Sequence, residues 1–367
     1  MRNVGVVAGG AILRGKITIE RTSGSTPLGR FVMTLVSIAV ALLTGLVFLE
    51  VLDFESLSVY RDMFAGAFFS GYGISETIVK AIPLMLCGLA VGFAAQIGLW
   101  NIGAEGQLYM GTFAASGTAL FLLPDAPALI TIPAMLIAAI LAGALWGVVG
   151  VLPLVLWRVN EVITTLMLNY IAILWVDYLI YGPWRDPKYG FPLSTLFSDG
   201  ACLPSLGTSR IHLGLLFALI AGGLVIILLR NTRWGYEIKA VGGNRRAAEY
   251  AGIPISRNLL LVMAISASFA GIAGMAEVSG ICHRLQPGIS PGYGYSGIII
   301  AWLARLHPVG IAAMSVFFGG LLVGGYEMQA EGLPAGIVYM IQATILFFVL
   351  ASEFFSRYRI RIMRGPK

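Results

Sequence analysis

The stretch Phe31-Val-Met-Thr-Leu-Val-Ser-Ile-Ala-Val-Ala-Leu-Leu-Thr-Gly-Leu-Val-Phe-Leu-Glu50-Val-Leu52 decides the fold class. It is apolar for nearly its whole length and meets its first charge at Glu50. About 20 such residues in a helix cross the hydrocarbon core of a bilayer. Similar runs follow at 77–98, 104–123, 127–157, 162–182, 211–230, 258–280, 295–306, 308–325 and 335–352. The composition agrees, because 11% charged residues cannot coat a water-soluble globule, which carries about 25%. The 46 glycines suit closely packed membrane helices. The expectation is an all-α, polytopic membrane bundle of about ten transmembrane helices.

Charge placement orients it. Most of the 24 Lys and Arg residues fall in the N-terminal tail 1–30, at Arg158, in the loop 230–257, at Arg305 and in the C-terminal tail. Arg61, Lys80, Arg185, Lys188, Arg210 and Arg284 go to the other half. An excess of cations marks the cytoplasmic side. Both basic tails then lie inside, so the number of spans is even. The domain reading is a cytoplasmic basic tail at 1–30, a transmembrane domain at 31–352 with an inner loop at 231–257, and a second cytoplasmic basic tail at 353–367. The long connections 53–76 and 183–210 fall outside. The pair 295–306 and 308–325, separated by Arg305, His307 and Pro308, reads either as two short helices or as one kinked element.

No hydrophilic stretch is long enough for a separate catalytic domain. Gly10-Ala-Ile-Leu-Arg-Gly15-Lys16-Ile17 approaches a phosphate-binding loop but lacks the hydroxyl after the lysine and the surrounding α/β unit. His212, His283 and His307 are scattered, and Cys87, Cys202 and Cys282 give no metal-ligand spacing. Neither a metal nor a catalytic residue is assigned, and unpaired cysteines are expected.

Three segments carry the functional signal. Asn101-Ile-Gly-Ala-Glu105-Gly-Gln107 interrupts two apolar runs with amides, a carboxylate and glycines. Non-helical backbone at membrane depth occurs where it is buried in protein or lines a watery cavity. The segment is either part of a solute pathway or an interfacial turn, with Glu105 capping freed amides. In Asn160-Glu161-Val-Ile-Thr-Thr165-Leu-Met-Leu-Asn169-Tyr, the residues Glu161, Thr165 and Asn169 share one helical face. Such a polar stripe faces the bundle interior, as pathway or as interhelical hydrogen bonding.

The inner loop contains Gly242-Gly243-Asn244-Arg-Arg-Ala247-Ala248-Glu-Tyr-Ala251-Gly252-Ile253-Pro254. It reads as a turn, an Asn N-cap and a short helix over 245–251, stopped by Gly252 and Pro254. This helix docks on a soluble partner, or the loop is a basic linker that binds anionic lipid. Glu277 and Asp177 are either gates or structural pairs. The motifs Gly88-x3-Gly92, Gly143-x3-Gly147 and Gly320-x3-Gly324 indicate close helix packing.

Together the three segments resemble the permease family of bacterial ABC importers for simple sugars and nucleosides, in its nucleoside branch. The similarity runs in order from about residue 31 to 352. In place of the family's usual Glu-Ala-Ala with a following Gly, this chain has Arg246-Ala247-Ala248 and then Gly252. The resemblance implies a transport subunit of the bacterial inner membrane that moves its solute by alternating access and has no enzymatic activity of its own. The implied partners are a second permease, commonly a different one, a cytoplasmic ATPase that uses ATP and Mg, and an extracytoplasmic solute-binding protein. Lipid is a further partner, and nucleic acid is not. The substrate pathway is expected at Asn101, Glu105, Gln107, Glu161, Thr165 and Asn169. ATPase coupling is expected at Gly242, Gly243, Asn244, Ala247, Ala248, Gly252 and Ile253. The alternative is a secondary transporter driven by an ion gradient, although few ionisable residues lie mid-span for it.

Overall fold

The computed structural model describes residues 15–21, 27–188, 190–207, 209–330, part of 332–351, and 358–364. The chain divides into two compact units, residues 55–338 and residues 1–54 with 339–367. The larger unit is helical. It begins with α2 (Ser56–Phe68) and α3 (Gly71–Ala95), followed by α4 (Ala104–Gly117), α5 (Ala128–Trp157), α6 (Glu161–Tyr181) and α7 (Gly214–Asn231). The short α8 (Arg233–Gly243) and α9 (Arg245–Tyr250) lead into α10 (Ile255–Glu277), α11 (Tyr293–Leu303) and α12 (Pro308–Ala330). Among the described residues, six helices are long and apolar enough to cross a membrane: α3, α5, α6, α7, α10 with its extension to Cys282, and α12.

Burial separates the central helices from the outer ones. Helices α3 and α10 are buried on almost every side, whereas α5, α6 and α7 each carry an exposed apolar stripe, such as Leu141, Leu145 and Val149 on α5. Helix α10 packs on α5, α4 and α3, and α3 also packs on α12 and α11. Small residues make this possible. A Cβ on Gly271 would sit 2.3 Å from the Ala139 carbonyl oxygen, and one on Gly111 would sit 2.3 Å from the Gly271 oxygen. The three Gly-x3-Gly motifs are all packing positions: Gly143 and Gly147 meet α10, Gly88 and Gly92 meet Ile311, and Gly320 and Gly324 meet Phe68 and Met63.

That last contact corrects the reading of 53–76 as a connection. Val59, Tyr60, Met63 and Ala67 give α2 one buried face, which packs on α12. The segment is too polar and too short to register as a span, but amphipathic enough to form a packed helix. The pair after residue 293 is two helices. Arg305 and Leu306 both adopt left-handed backbone (φ 53° and 60°), which ends α11, and Pro308 starts α12, where a missing N–H costs nothing. The connection 183–210 is irregular but laced to the turn after α10, through Ser194 N to Leu285 O (3.0 Å) and Leu203 N to Ser279 O (2.9 Å).

The smaller unit contains α1 (Pro27–Val51), helical residues between 339 and 351, and a ribbon missing from the all-helical expectation. Strand β1 (Gly15–Arg21) pairs antiparallel with β2 (Tyr358–Arg364), with Ile17 opposite Ile362. The two tails, read as separate, are thus hydrogen-bonded to each other. Alternating β-branched residues in Gly-Lys-Ile-Thr-Ile and Tyr-Arg-Ile-Arg-Ile favour this, but the pairing spans nearly the whole chain and has no local signal. Of the phosphate-loop-like segment, residues 10–14 lie outside the described residues, and Gly15, Lys16 and Ile17 belong to β1.

Candidate functional site: the start of α11 and the α8–α9 helix pair

Two of the three signal segments converge on the first turn of α11. Asn101 and Gln107 exchange a reciprocal pair of amide hydrogen bonds, both 2.9 Å, and Asn101 Nδ2 also donates to Ser266 Oγ on α10 at 2.9 Å. Ser266 passes the link to α3 by donating to Ala90 O at 2.6 Å. Asn169 on α6 accepts from Gly106 N (2.8 Å) and donates to Ile102 O (2.9 Å) and to the Tyr295 hydroxyl (3.3 Å). Glu105 Oε2 accepts from Gly294 N at 2.6 Å, which places a carboxylate against the freed amides that begin α11. There is no room for a side chain there, since a Cβ on Gly294 would lie 2.3 Å from Glu105 N.

Asn101, Glu105, Gln107, Thr165 and Asn169 are therefore buried and drawn into one polar knot. Thr165 takes part through its own helix, donating to Glu161 O at 2.7 Å, with its Cβ 3.0 Å from the position of a Cβ on Gly103. Glu161 stands apart at the rim, half-buried, and accepts from Trp100 N at 3.5 Å.

A second cluster lies beside this knot. Lys80 Nζ on α3 is 3.3 Å from Glu277 Oε1 at the end of α10 and donates to the Tyr293 hydroxyl at 3.0 Å. Tyr293 in turn donates to Glu277 Oε1 at 3.2 Å. Tyr293, Tyr295 and Ser266 went unread in the sequence, because tyrosine and serine within apolar runs carry no distinctive pattern. Lys80 did carry a signal: a lone cation within a span demands a partner. Cys87, Cys202 and Cys282 are free thiols.

At the far end of α3 and α10 lies the third segment. Helix α8 is capped by Thr232, which accepts from Gly235 N at 2.9 Å, and α9 by Asn244, which accepts from Ala247 N at 3.1 Å. Gly252 (φ +76°) closes α9, with Gly252 N on Glu249 O (3.0 Å) and Ile253 N on Ala248 O (3.1 Å), the paired bonds of a Schellman motif. The capped short helix is the one read from Asn244 to Gly252. Between α8 and α9 runs an open groove of about 630 Å³, lined by Tyr236, Glu237, Ala240, Ala247, Ala248 and Ile253 among others. Tyr250 stands beside it, 93% exposed.

The pair is firmly mounted. Trp234 Nε1 donates to Asn258 Oδ1 (2.8 Å), and Asn258 Nδ2 donates to Glu237 Oε2 (2.9 Å), which fastens α8 to the start of α10. Trp234 also contacts Phe93 on α3 at 6.1 Å between ring centroids. A Cβ on Gly242 would fall 2.1 Å from Gln96 O, so the end of α8 is pressed against the turn after α3.

Residues 73–350 match the family described as branched-chain amino acid transport system / permease component. The chain belongs to that family. It is 37% identical over 338 residues to the glucose ABC transporter permease protein TsgB13 of Haloferax volcanii, covering 89% of this chain and 88% of that one. It is 35% identical over 348 residues to the guanosine ABC transporter permease protein NupP of Bacillus subtilis, covering 92% and 97%. A second guanosine permease protein of the same organism, NupQ, matches at 26% over 290 residues, covering 76% and 90%. This permease is a multi-pass membrane transport subunit, not an enzyme, and works with ATPase and substrate-binding partners.

Proposed function

We propose that this permease is one of two transmembrane subunits of an ABC importer that brings a nucleoside or simple sugar across a bacterial cytoplasmic membrane by alternating access. The observation that carries the reading is the capped α8–α9 pair, which presents a groove and an exposed aromatic while fixed to the ends of two buried helices. A soluble ATPase that grips α9 moves α3 and α10 together. The guanosine and glucose relatives support the solute class, and the existence of two guanosine permeases in one organism supports a heterodimer. In this reading ATP and Mg belong to the ATPase, and a solute-binding protein delivers the solute.

The polar knot of Asn101, Glu105, Gln107, Thr165 and Asn169, with Glu161 at its rim, then forms the rigid wall of the pathway. Asn101 and Gln107 hold each other while Glu105, Thr165 and Asn169 are tied to backbone groups, so solute meets the helix end that they position. Gly242, Gly243, Asn244, Ala247, Ala248, Gly252 and Ile253 form the ATPase-coupling element.

The test is Ala247→Trp, which fills the groove from an exposed position, together with Tyr250→Ala. Both variants are expected to insert and melt like the wild type yet to co-purify with the ATPase about tenfold less, a loss of about 1.4 kcal/mol in binding. Unchanged co-purification removes the docking role, and uptake that persists without any ATPase would overturn the importer reading.

A further inference from the structure

We infer that Lys80, Glu277 and Tyr293 form a latch that holds the start of α11 against α3 and α10, and that its opening couples solute movement to ATP hydrolysis; this rests on the permease reading above. The three are positioning residues. They join three helices through one carboxylate oxygen, with Lys80 at 3.3 Å and Tyr293 at 3.2 Å from Glu277 Oε1.

The cluster is a poor device for stability alone. The side chain of Glu277 is 3% exposed and that of Lys80 17%. Glu277 Oε2 is buried and accepts no hydrogen bond from any described residue. A buried ion pair with an unsatisfied oxygen is commonly less stabilising than apolar side chains of the same volume. Parting the charges in water would return hydration to both, which offsets the attraction lost, as a switch requires.

The surrounding backbone departs from regular helix beside the cluster. Gly288 and Gly292 (φ +65° and +93°) precede α11, and the left-handed Arg305 and Leu306 follow it, so the short helix is bounded by left-handed turns at both ends. Glu277 is followed at once by a π-helical turn, Val278–Cys282, a local widening of α10. The two rods that carry the charges are the ones fastened to α8 at their other ends, through Gly242 against Gln96 and Asn258 bonded to Trp234. A displacement imposed on α8 therefore reaches Lys80 along about 22 Å of α3 and Glu277 along about 28 Å of α10.

The experiment uses the whole transporter in liposomes, with both permeases, ATPase and binding protein. Lys80→Met and Glu277→Gln are each expected to raise solute-independent ATP hydrolysis about threefold or more and to lower uptake per ATP consumed. The double variant Lys80→Met with Glu277→Met is expected to melt at or above the wild-type temperature yet to stay uncoupled. Wild-type coupling in either single variant, or in the double one, overturns the latch. A second readout needs no transport. With Cys202→Ser, the rate at which a maleimide labels Cys282, five residues after Glu277, should rise several-fold in the single variants. An unchanged rate overturns the latch, whereas a wild-type complex that shows no ATP-dependent uptake overturns the importer reading and leaves this labelling test to judge the latch.

Discussion

Asn169 illustrates how much one side chain holds in this bundle. Its oxygen satisfies Gly106 N and its amide nitrogen satisfies Ile102 O, two backbone groups freed where the chain breaks before α4. Water does not reach them, since Asn169 is fully buried. Asn169→Leu fills similar space but orphans both groups, at a cost of about 1–3 kcal/mol each. A melting temperature several degrees lower in detergent is the expected outcome. Glu161→Gln is expected to melt like the wild type, because Glu161 is half-buried and its contact with Trp100 N is long at 3.5 Å. The i, i+4, i+8 spacing of Glu161, Thr165 and Asn169 was legible in the sequence. The partners of Asn101 and Asn169 were not, because Ser266 and Tyr295 are brought in by helices more than one hundred residues away.

Among the elements, α10 is the axis, and glycine sets how close its neighbours stand. Gly271 faces α5 on one side and Gly111 of α4 on the other, in each case with backbone where a Cβ would be. Backbone cannot swing aside as a flexible side chain can, so Gly271→Leu must push α5 away from α10. Overpacking of this kind costs about 1–3 kcal/mol or more. Loss of folded protein from the membrane fraction, or a sharply lowered melting temperature, is expected. Gly223, which has nothing within 4 Å of its Cβ position, should accept Leu without a shift in melting temperature. The Gly-x3-Gly spacing announced contact but could not say with which helix. Helix α2 escaped notice for a related reason: its apolar face acquires meaning only once α12 is there to cover it.

For the whole molecule, the arrangement of ends decides the topology. An even number of spans with both basic tails inside is the reading proposed from charge, and the β1–β2 ribbon bears on the part of it that puts both tails on one side, because strands can pair only on one side of a membrane. In intact cells, single cysteines placed at Thr18 and Arg361 in a cysteine-free background should be protected from a membrane-impermeant maleimide. One at Lys188 should be labelled. Labelling of either tail position would reverse the assignment.

By itself, the sequence determined the class and the kind of machine. Many apolar runs of this length, with so few charges between them, belong in a bilayer. The capped helix 244–252 was also legible, since caps are local chemistry between residues three to five apart. The tertiary structure alone decided what these parts grip. Glu105, Asn169 and Glu277 meet at the start of α11, and α8 fastens to α3 and α10, through contacts between residues far apart in the chain. Apolar and polar periodicity records which face of a helix is buried, but not which helix buries it.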